Sequence, residues 1–304
     1  MSKGLTLTII FESQSLNYGE GTGTILVLKK MTRDNGMTYS YASRQALRYD
    51  IVRLGNQYFG WQKTPVDSAQ GAVQFSPTAT IKDYPEIDFF GYMKTKSKKE
   101  SETGGGADTR PATVRLSPAV SLEPFMGDIE FATNKGLADR IPKHPDPYQP
   151  EQHLSFYAYT VTIDLDRIGV DGKIDIGKSN KISRVKQLLE IIKILNREIR
   201  ASDRNLNPLF VIGGIYDIKN PFFMGRLKLE WKGSVPSIAI TPIKETLSVT
   251  FKDKAIGSNT NVGIVSGIWG NEEELKQLPV KKPVDIETFF SELAGEVQAF
   301  YEGA

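Results

Sequence analysis

The segment LTLTIIFE at residues 5–12 decides the fold, because its apolar residues alternate with threonine before the run becomes wholly apolar. A period of two residues predicts a half-buried β-strand. A polar, glycine-rich loop follows at residues 13–23, and residues 24–28 are apolar again. The turn residues Asp34, Asn35 and Gly36 then predict a β-hairpin with its second strand at residues 37–41, because asparagine and glycine tolerate positive φ.

The first helix is predicted over residues 43–54. Its apolar residues recur at helical spacing: Leu47, Ile51 and Leu54. Either Ser40 or Ser43 can cap its start, and Gly55 supplies a stop signal. Arg44 and Arg48 are four residues apart, so both guanidinium groups should project from one face, away from the apolar stripe.

Residues 58–150 show no sustained period. Short β-like pieces at residues 72–75, 88–92, 113–116 and 129–132 are separated by proline, glycine and polar residues. Residues 94–111 surround a triple glycine that is typical of flexible segments. Residues 143–152 contain three prolines and are predicted to be irregular. We therefore expect a large insertion of loops and short strands.

Regular structure is predicted to resume with a strand at residues 156–165 and a helix at residues 183–200, the strongest helical pattern of the chain. Further strands are predicted at residues 208–212, 227–231, 237–240 and 247–251, and a last helix at residues 285–301 with Asp285 as its cap. This order predicts an α+β fold with helices on one face of a sheet, for which the ferredoxin-like arrangement is the commonest plan.

Composition excludes several classes of protein. Without cysteine the chain has no disulfide framework, thiolate metal site or cysteine nucleophile. No segment approaches the roughly 20 apolar residues of a membrane span, so we expect a cytoplasmic protein with no membrane partner. The formal net charge is only +2. Cations nevertheless cluster near residues 29–33, 44–53 and 94–99, and such clusters can form a phosphate track on a near-neutral protein.

Residues suited to catalysis are few. The two histidines, His144 and His153, flank the proline-rich segment with Asp146 nearby, but their spacing matches no standard metal motif. Asp164 and Asp166 could hold a divalent ion, although a turn at the end of a strand explains them better. Phosphate-binding and nucleophile-elbow motifs do not occur. The sequence therefore predicts no catalytic residue, no metal site and no cofactor.

The N-terminal third contains what a single-stranded RNA site needs, namely cations for phosphates and polar groups for sugars. The loop at residues 13–19 offers polar side chains and backbone amides, and Lys29, Lys30 and Arg33 supply charge. The face of Arg44 and Arg48 adds guanidinium groups, which suit phosphate geometry. The alternative for this face is a surface of salt bridges to Asp50 or another neighbour.

Four segments in chain order carry a resemblance to a known family: LTLTIIFESQSLNYG at residues 5–19, SRQALRYDI at 43–51, RPATVRLS at 110–117 and TNKGLADR at 133–140. Together with DFFGYM at residues 88–93, they resemble the DevR family. That family is the type I-B form of the seventh Cas protein family, the backbone subunit of the CRISPR complex Cascade, within the RAMP superfamily. The resemblance runs through most of the chain.

The resemblance implies a hand-shaped molecule that is not an enzyme. A modified RRM-like or ferredoxin-like palm would comprise residues 1–56 and 153–304, a β-rich fingers insertion residues 57–132, and a flexible thumb hairpin residues 133–152. Copies would stack head to tail along a CRISPR guide RNA and present its bases to a target DNA strand. The other implied partners are Cascade subunits of the fifth, sixth and eighth Cas protein families.

The resemblance also assigns candidate RNA contacts. In the palm they are Asn17, Lys29, Lys30, Ser43, Arg44, Gln45 and Arg48. In the thumb they are Thr133, Asn134, Lys135 and Arg140. Gly213, Gly214 and Arg226 resemble the glycine-rich segment of the superfamily, where a missing side chain would let RNA approach the main chain. A plain turn between strands is the alternative for the two glycines.

Two other functions remain open from the sequence. A related type III backbone subunit cuts target RNA with an aspartate on a palm loop, and Asp34 lies in such a loop, within hairpin-turn chemistry. A small-molecule enzyme on a ferredoxin-like scaffold is the second alternative. The sequence does not distinguish a complex that directs DNA destruction from one adapted to transposition.

Overall fold

The computed structural model describes residues 3–33, 36–68, 73–95 and 107–303, and an antiparallel sheet of eight strands runs through them. In chain order these strands are β1 (Gly4–Gln14), β2 (Lys30–Thr32), β3 (Thr38–Ala42), β4 (Val114–Leu116), β5 (Ala119–Ser121), β6 (Leu154–Asp164), β7 (Phe210–Tyr216) and β8 (Thr260–Ile264). Their order across the sheet is β8-β7-β1-β6-β5-β3-β2, and β4 also pairs with β6. The predicted α+β class is confirmed.

Strand β1 lies at the middle of the sheet, paired with β6 on one side and β7 on the other. It was expected to be half-buried, but both of its faces are covered. Leu7 and Ile9 are fully buried on one face, and Thr8 on the other is only 2% exposed. Thr8 and Thr160 satisfy each other through a hydroxyl–hydroxyl hydrogen bond of 2.9 Å. A buried polar group needs such a partner, so the alternating threonines belong to the interior.

Seven α-helices surround the sheet within the described residues. They are α1 (Arg44–Phe59), α2 (Pro85–Phe90), α3 (Lys135–Ala138), α4 (Lys178–Lys193), α5 (Ile240–Ser248), α6 (Glu272–Lys276) and α7 (Ile286–Glu302). The long helices α1, α4 and α7 cover the face of β1 that carries Leu7 and Ile9. Helices α5 and α6 contribute to a second core, built on Ile10 and Phe210 of the opposite face. The two cores therefore sandwich the sheet.

The first and last helices begin where the sequence predicts. Ser43 accepts a hydrogen bond from the Ala46 N–H, and Asp285 accepts one from the Thr288 N–H. Such caps satisfy N–H groups that lack a partner within the helix. Helix α1 nevertheless continues past Gly55 to Phe59, with Gly60 as its C-terminal cap, because Gly55 is required for packing and does not end the helix. A Cβ at Gly55 would lie 2.1 Å from the ring of Trp61.

Three segments differ from the predicted structure. Residues 88–92 fall largely in α2, whose first position is Pro85, a residue favoured at helix starts. The helix expected at residues 183–200 ends at Lys193, and a hairpin of Asn196–Ile199 and Ser202–Asn205 follows. Of the strand expected at residues 247–251, only Thr250–Phe251 is a strand, and its first two residues are the end of α5. Apolar spacing alone did not distinguish short helices from short strands in these segments.

The proline-rich segment was predicted to be irregular, which holds for residues 143–146 but not for the residues that follow. Pro147–Gln152 is a strand that pairs with Ile25–Leu26 on one side and with Asp128–Ile129 and Ala132–Thr133 on the other. The prolines of this strand lack an N–H, but their carbonyl groups can still accept hydrogen bonds. Pro150 accepts one from the Glu130 N–H at 3.0 Å. The predicted thumb, residues 133–152, is thus a hairpin closed by Thr133 opposite Pro147, with α3 between its arms.

The predicted insertion at residues 57–132 does not stay outside the sheet, because β4 and β5 lie within it and pair with β6. Besides Asp128–Ile129, its described strands outside the sheet are Val66–Asp67 with Gln74–Phe75, and Tyr92–Thr95 with Ala107–Arg110. Short hairpins elsewhere are Val170–Asp171 with Ile174–Asp175, Leu229–Lys232 with Val235–Ile238, and Thr250–Phe251 with Lys254–Ala255. The 3-10 helices are Leu165–Arg167 and Ile256–Asn259. The triple glycine and residues 96–100 lie outside the described residues.

A buried ion cluster fastens the insertion to the sheet and helices. The carboxylate of Asp88, fully buried in α2, accepts from Arg110 at 2.6 Å and from Arg184 of α4 at 2.8 Å. The Gly169 N–H donates to both of its oxygens, at 3.0 and 3.1 Å. The charges can be buried because the Asp88 carboxylate is paired with both guanidinium groups, although the Nε of Arg110 has no hydrogen-bond partner among the described residues. This cluster fixes α2, and with it Phe90, relative to the rest of the fold.

Candidate nucleic-acid interface

Three segments far apart in sequence meet at the start of α1. The Lys29 N–H donates to the Asn17 carbonyl at 2.8 Å, and the Tyr41 N–H donates to the Lys29 carbonyl at 2.9 Å. The side chain of Asn17 in turn contacts Ser43. Four of the predicted palm residues are therefore neighbours: Asn17, Lys29, Ser43 and Arg44, which follows Ser43 directly.

The side chains of Asn17 and Ser43 form hydrogen bonds within the structure at the start of α1. Asn17 is 8% exposed. With its amide oxygen turned to Ser43, it accepts from the Ser43 N–H at 3.1 Å and hydroxyl at 3.2 Å, and its nitrogen donates to the Tyr18 carbonyl. Ser43 also caps α1. Both side chains thus fix the start of the helix from which Arg44 projects, and neither is an open contact for a ligand.

Arg44, Gln45 and Arg48 line one cavity of about 420 Å³. Its opposite wall is the strand β4 together with Phe90 and Ala112. Strand β4 contributes Arg115, so three guanidinium groups surround this arginine cavity, and none of the described acidic residues lines it. Guanidinium groups pair with phosphate oxygens by parallel hydrogen bonds. The cavity therefore suits a phosphate group.

The three arginines differ in how they are held. The side chain of Arg44 is exposed and forms no hydrogen bond or ion pair with any other described residue. Arg48 donates to Glu86 at 2.8 Å, and its guanidinium carbon lies 5.1 Å from the centre of the Phe90 ring. The alternative considered from the sequence, a salt bridge to Asp50 or another neighbour, therefore holds for Arg48, with Glu86 and not Asp50 as the partner. Asp50 is bound by Arg197 of the hairpin after α4, at 2.7 Å.

Arg115 is oriented by a buried carboxylate. Both of its terminal nitrogens donate to Asp164, at 2.9 and 3.0 Å, while half of the Arg115 side chain stays exposed. The hydrogen bonds that Arg115 donates to Asp164 raise the pKa of Arg115 above its ordinary value. Lys219 also approaches Asp164, at 3.6 Å. Asp164 therefore holds cations in place, which explains its position better than the metal site considered from the sequence.

Sequence reasoning missed Arg115 and Phe90 as parts of this cavity. Arg115 belongs to the RPATVRLS segment, and the alternation in β4 places it opposite the buried Val114. That alternation was available from the sequence. The pairing of β4 with β6, which brings Arg115 up to α1, was not.

Lys30 differs from the other palm candidates. Its ammonium group donates to Glu151 at 2.6 Å and lies 4.3 Å from the centre of the Phe125 ring. Glu151 also accepts from the Leu28 N–H at 2.7 Å. The charge of Lys30 is therefore largely compensated, and its contacts join β2 to the base of the thumb.

The thumb candidates lie on the hairpin between Ala132–Thr133 and Pro147–Gln152, away from the lining of the arginine cavity. Thr133, Lys135 and Arg140 are exposed. Asn134 is used within the hairpin, where it exchanges hydrogen bonds with Asp146 at 2.6 and 3.1 Å. Exposed apolar side chains accompany them: Phe131, Leu137 and Ile141. The hairpin thus presents a mixed cationic and apolar surface.

Gly213 and Gly214 do not expose their main chain, contrary to prediction. Both are buried in the middle of β7. A Cβ would lie 1.9 Å from the Thr6 carbonyl oxygen at Gly213 and 2.0 Å from the Asn259 carbonyl oxygen at Gly214. Close approach of neighbouring backbone requires both glycines, so neither RNA access nor a turn explains them. Arg226, in contrast, is exposed.

The remaining polar candidates are accounted for by structure. His153 is buried and bonds through Nδ1 to the Ser40 hydroxyl at 2.7 Å, and burial lowers the pKa of His153. His144 is exposed. No group of three or more histidine, aspartate or glutamate side chains that could hold a metal occurs in the part of the chain that is described. Asp34 lies outside the described residues. Among those residues no helix has the length and hydropathy to cross a bilayer.

Comparison with known proteins identifies a family. Residues 5–226, well over half of the chain, match the sequence model described as "CRISPR-associated negative auto-regulator DevR/Csa2". A curated relative from Myxococcus xanthus (strain DK1622), "CRISPR-associated protein Cas7/Cst2/DevR", is 27% identical over 168 residues. That match covers 52% of this chain and 55% of the relative, so it spans only about half the length of either protein.

Two solved structures resemble the whole chain. One, titled "CRISPR RNA-guided surveillance complex, pre-nicking", contains a chain with a TM-score of 0.60 and 12% identity, covering 97% of this chain and 100% of that one. The other, "CRISPR RNA-guided surveillance complex", gives a TM-score of 0.56 and 15% identity, covering 96% and 99%. At such low identity these likenesses concern the fold.

Proposed function

The chain belongs to the CRISPR-associated DevR/Csa2 family, and from that premise we propose that it is a non-catalytic backbone subunit of a type I-B Cascade complex. In this role it binds the sugar–phosphate backbone of a CRISPR guide RNA and leaves the bases free to pair with a target DNA strand. Its other partners are further copies of itself and the Cascade subunits of the fifth, sixth and eighth Cas protein families. Such a complex acts in the cytoplasm, where guide and target meet.

The strand order supports a ferredoxin-like palm. The sequence β1, α1, β4, β6, α4, β7 has the βαββαβ order, and its strands lie in the sheet as β7-β1-β6-β4. This is the split βαβ arrangement. In this proposal β8 and α7 extend the palm, β4 and β5 belong to it, the remainder of residues 57–132 forms the fingers, and residues 133–152 form the thumb.

The single observation that carries the proposal is the arginine cavity. An exposed, unpaired Arg44 and a positioned Arg115 face each other across a cavity without acidic lining. Phosphate contacts hold a nucleic acid without reading its sequence. A subunit that coats guides of any sequence needs this kind of site. We assign Gln45 and Lys29 to the same backbone track, and Asn17 and Ser43 to its support.

The exposed thumb supports the proposed assembly of copies. Thr133, Lys135 and Arg140 combine with exposed apolar side chains such as Phe131 and Leu137 on one hairpin. Contiguous exposed apolar groups mark interaction sites. If the thumb of one copy contacts the next copy, the contact is head-to-tail and the assembly is an open filament.

Native mass spectrometry of the purified chain with single-stranded RNAs of increasing length tests the function. We expect several copies on one RNA, and a copy number that rises in steps as the RNA lengthens. Lys135→Ala should reduce the number of copies on one RNA while leaving the isolated chain folded. Absence of RNA binding, or one copy on RNA of every length, would contradict the proposal.

A further inference from the structure

A second groove adjoins the arginine cavity. It has a volume of about 600 Å³, and Arg48 and Phe90 line both spaces. The side chains of these two residues therefore form the wall between them. We call the second space the base groove, defined by Arg48, Phe75, Phe90, Tyr92 and Met93 together with Val66 and Val73.

The rim of the base groove carries exposed apolar side chains, although Arg48, Gln74, Thr95 and Arg110 also line the groove. Val66, Val73 and Met93 are 63%, 77% and 64% exposed, although all three side chains line it. The aromatic rings of Phe75 and Tyr92 lie deeper and are half-buried. A contiguous apolar surface facing water on a soluble domain usually marks a binding site. The interior packing of the chain does not require these exposed side chains.

The wall between the arginine cavity and the base groove presents flat side-chain groups on which a base can stack. The guanidinium of Arg48 lies 5.1 Å from the Phe90 ring centre and 5.8 Å from the Phe75 ring centre. Glu86 holds the same guanidinium at 2.8 Å. Aromatic rings and arginine planes are the surfaces on which unstacked bases of single-stranded RNA rest. A flat ring placed in the groove can therefore lie against a surface that is already ordered.

Gln74 adds a polar group without fixing a particular base. Its amide oxygen accepts from the Thr95 N–H and hydroxyl, both at 2.8 Å. Among the described residues its Nε2 has no acceptor, so it remains as a donor on the lining of the groove. Every base carries hydrogen-bond acceptors, so such a donor suits a ligand of variable sequence.

We propose that the base groove holds one unstacked nucleobase of the RNA strand whose phosphate group is bound by Arg44 and Arg115. This inference rests on the proposed function, and it adds a base-binding groove to the phosphate-binding arginine cavity. A nucleotide carries a flat ring and an anionic group joined by a sugar, which matches an apolar groove continuous with an arginine cavity. An apolar side chain of a neighbouring protein would fill the groove but leave the exposed charge of Arg44 without a partner.

Photo-crosslinking tests the assignment with the full chain bound to single-stranded RNA that contains 4-thiouridine. We expect cross-linked peptides that contain Phe75, Tyr92 or Met93. The near-isosteric variant Val66→Thr with Met93→Gln should lose these cross-links and bind RNA about tenfold more weakly, since the contact of one base contributes to the affinity for a single strand. The matched control is Val249→Thr with Met224→Gln, because Val249 and Met224 are 51% and 52% exposed elsewhere. It should behave as the wild-type chain does.

The outcomes separate this inference from the proposed function. RNA that binds without cross-linking to the groove, or equal affinity in the groove variant and the control, overturns the base groove and leaves the guide-binding role intact. Cross-links from the groove to a neighbouring copy in place of RNA also overturn it. A wild-type chain that binds no RNA overturns the proposed function itself, and the base groove with it.

Discussion

Substitution of Arg44 by glutamine should weaken RNA binding in a way that depends on salt. Arg44 is exposed and has no partner among the described residues, so its full charge is available to a phosphate. Each phosphate neutralised on a single strand contributes roughly 0.7 to the slope of log affinity against log salt. We therefore expect Arg44→Gln to reduce the magnitude of that slope by about 0.7. The loss of affinity should be largest at low salt.

The structure predicts a larger effect for Arg115→Gln. This change removes a cation and also leaves the buried carboxylate of Asp164 without its bidentate partner. Only Arg167 and Lys219 then remain near Asp164 among the described cations, at 3.8 and 3.6 Å. A carboxylate with less compensation would repel the phosphate. The affinity of Arg115→Gln at low salt should therefore fall below that of Arg44→Gln.

Fluorescence anisotropy with an RNA of about 10 nucleotides, short enough for one copy, measures these slopes. Lys244→Gln is the matched control, because Lys244 is an exposed cation on α5 that lines neither the arginine cavity nor the base groove. Exposed substitutions change folding stability by about 0.5 kcal/mol or less, so thermal unfolding should not distinguish Arg44→Gln from Lys244→Gln. Equal slopes for Arg44→Gln, Lys244→Gln and the wild-type chain would refute the assignment.

Three further predictions concern the fold that supports the site. Asp88→Ala leaves Arg110 and Arg184 buried without their counter-ion, so urea denaturation should show a loss of about 3–5 kcal/mol; a loss below about 1 kcal/mol would mean that the cluster does not join α2 to α4. Gly214→Ala places a Cβ 2.0 Å from a backbone oxygen, so soluble yield and melting temperature should fall even though the change adds only a methyl group. Burial lowers the pKa of His153, so the imidazole binds a proton more readily in the unfolded chain than in the folded one. The free energy of unfolding should therefore decrease as pH falls below about 6.5. His153→Gln should flatten this pH dependence, and a profile unchanged by the substitution would contradict the reasoning.

Long, strongly patterned elements could be predicted from the sequence. The helix starts at Ser43 and Asp285 follow from local capping chemistry, which needs no knowledge of the rest of the fold. The strand pattern of residues 5–12 is equally local. Only its burial on both faces was missed, because the alternating threonines satisfy each other across the sheet, as Thr8 and Thr160 do.

Short segments whose structure depends on distant partners could not be predicted. Pro147–Gln152 is a strand because strands on both sides supply its hydrogen bonds, although its prolines argue locally against one. Gly55 looks like a helix stop, but the ring of Trp61 requires it. Tertiary contacts override local propensity at such positions.

The candidate site shows the same difference between local patterns, which the sequence predicts, and distant contacts, which it does not. The spacing of Arg44 and Arg48 predicts that they share one helix face, and both line the arginine cavity. The place of Arg115 opposite α1 depends on strand pairing, and the compensation of the Lys30 charge depends on Glu151, which lies 121 residues away. Neither could be predicted from the sequence. Charge in a sequence shows which residues could bind a phosphate. The structure shows which of those charges are already compensated.

Sequencing of the RNA that co-purifies with the chain from its native host tests the central claim most directly. If the chain coats guides, the bound RNA should consist of CRISPR-derived guides, each combining repeat sequence with a varied spacer, and Arg44→Gln combined with Arg115→Gln should deplete them relative to Lys244→Gln. A preparation that is free of RNA, or that holds cellular RNA without enrichment of such guides, would contradict the account.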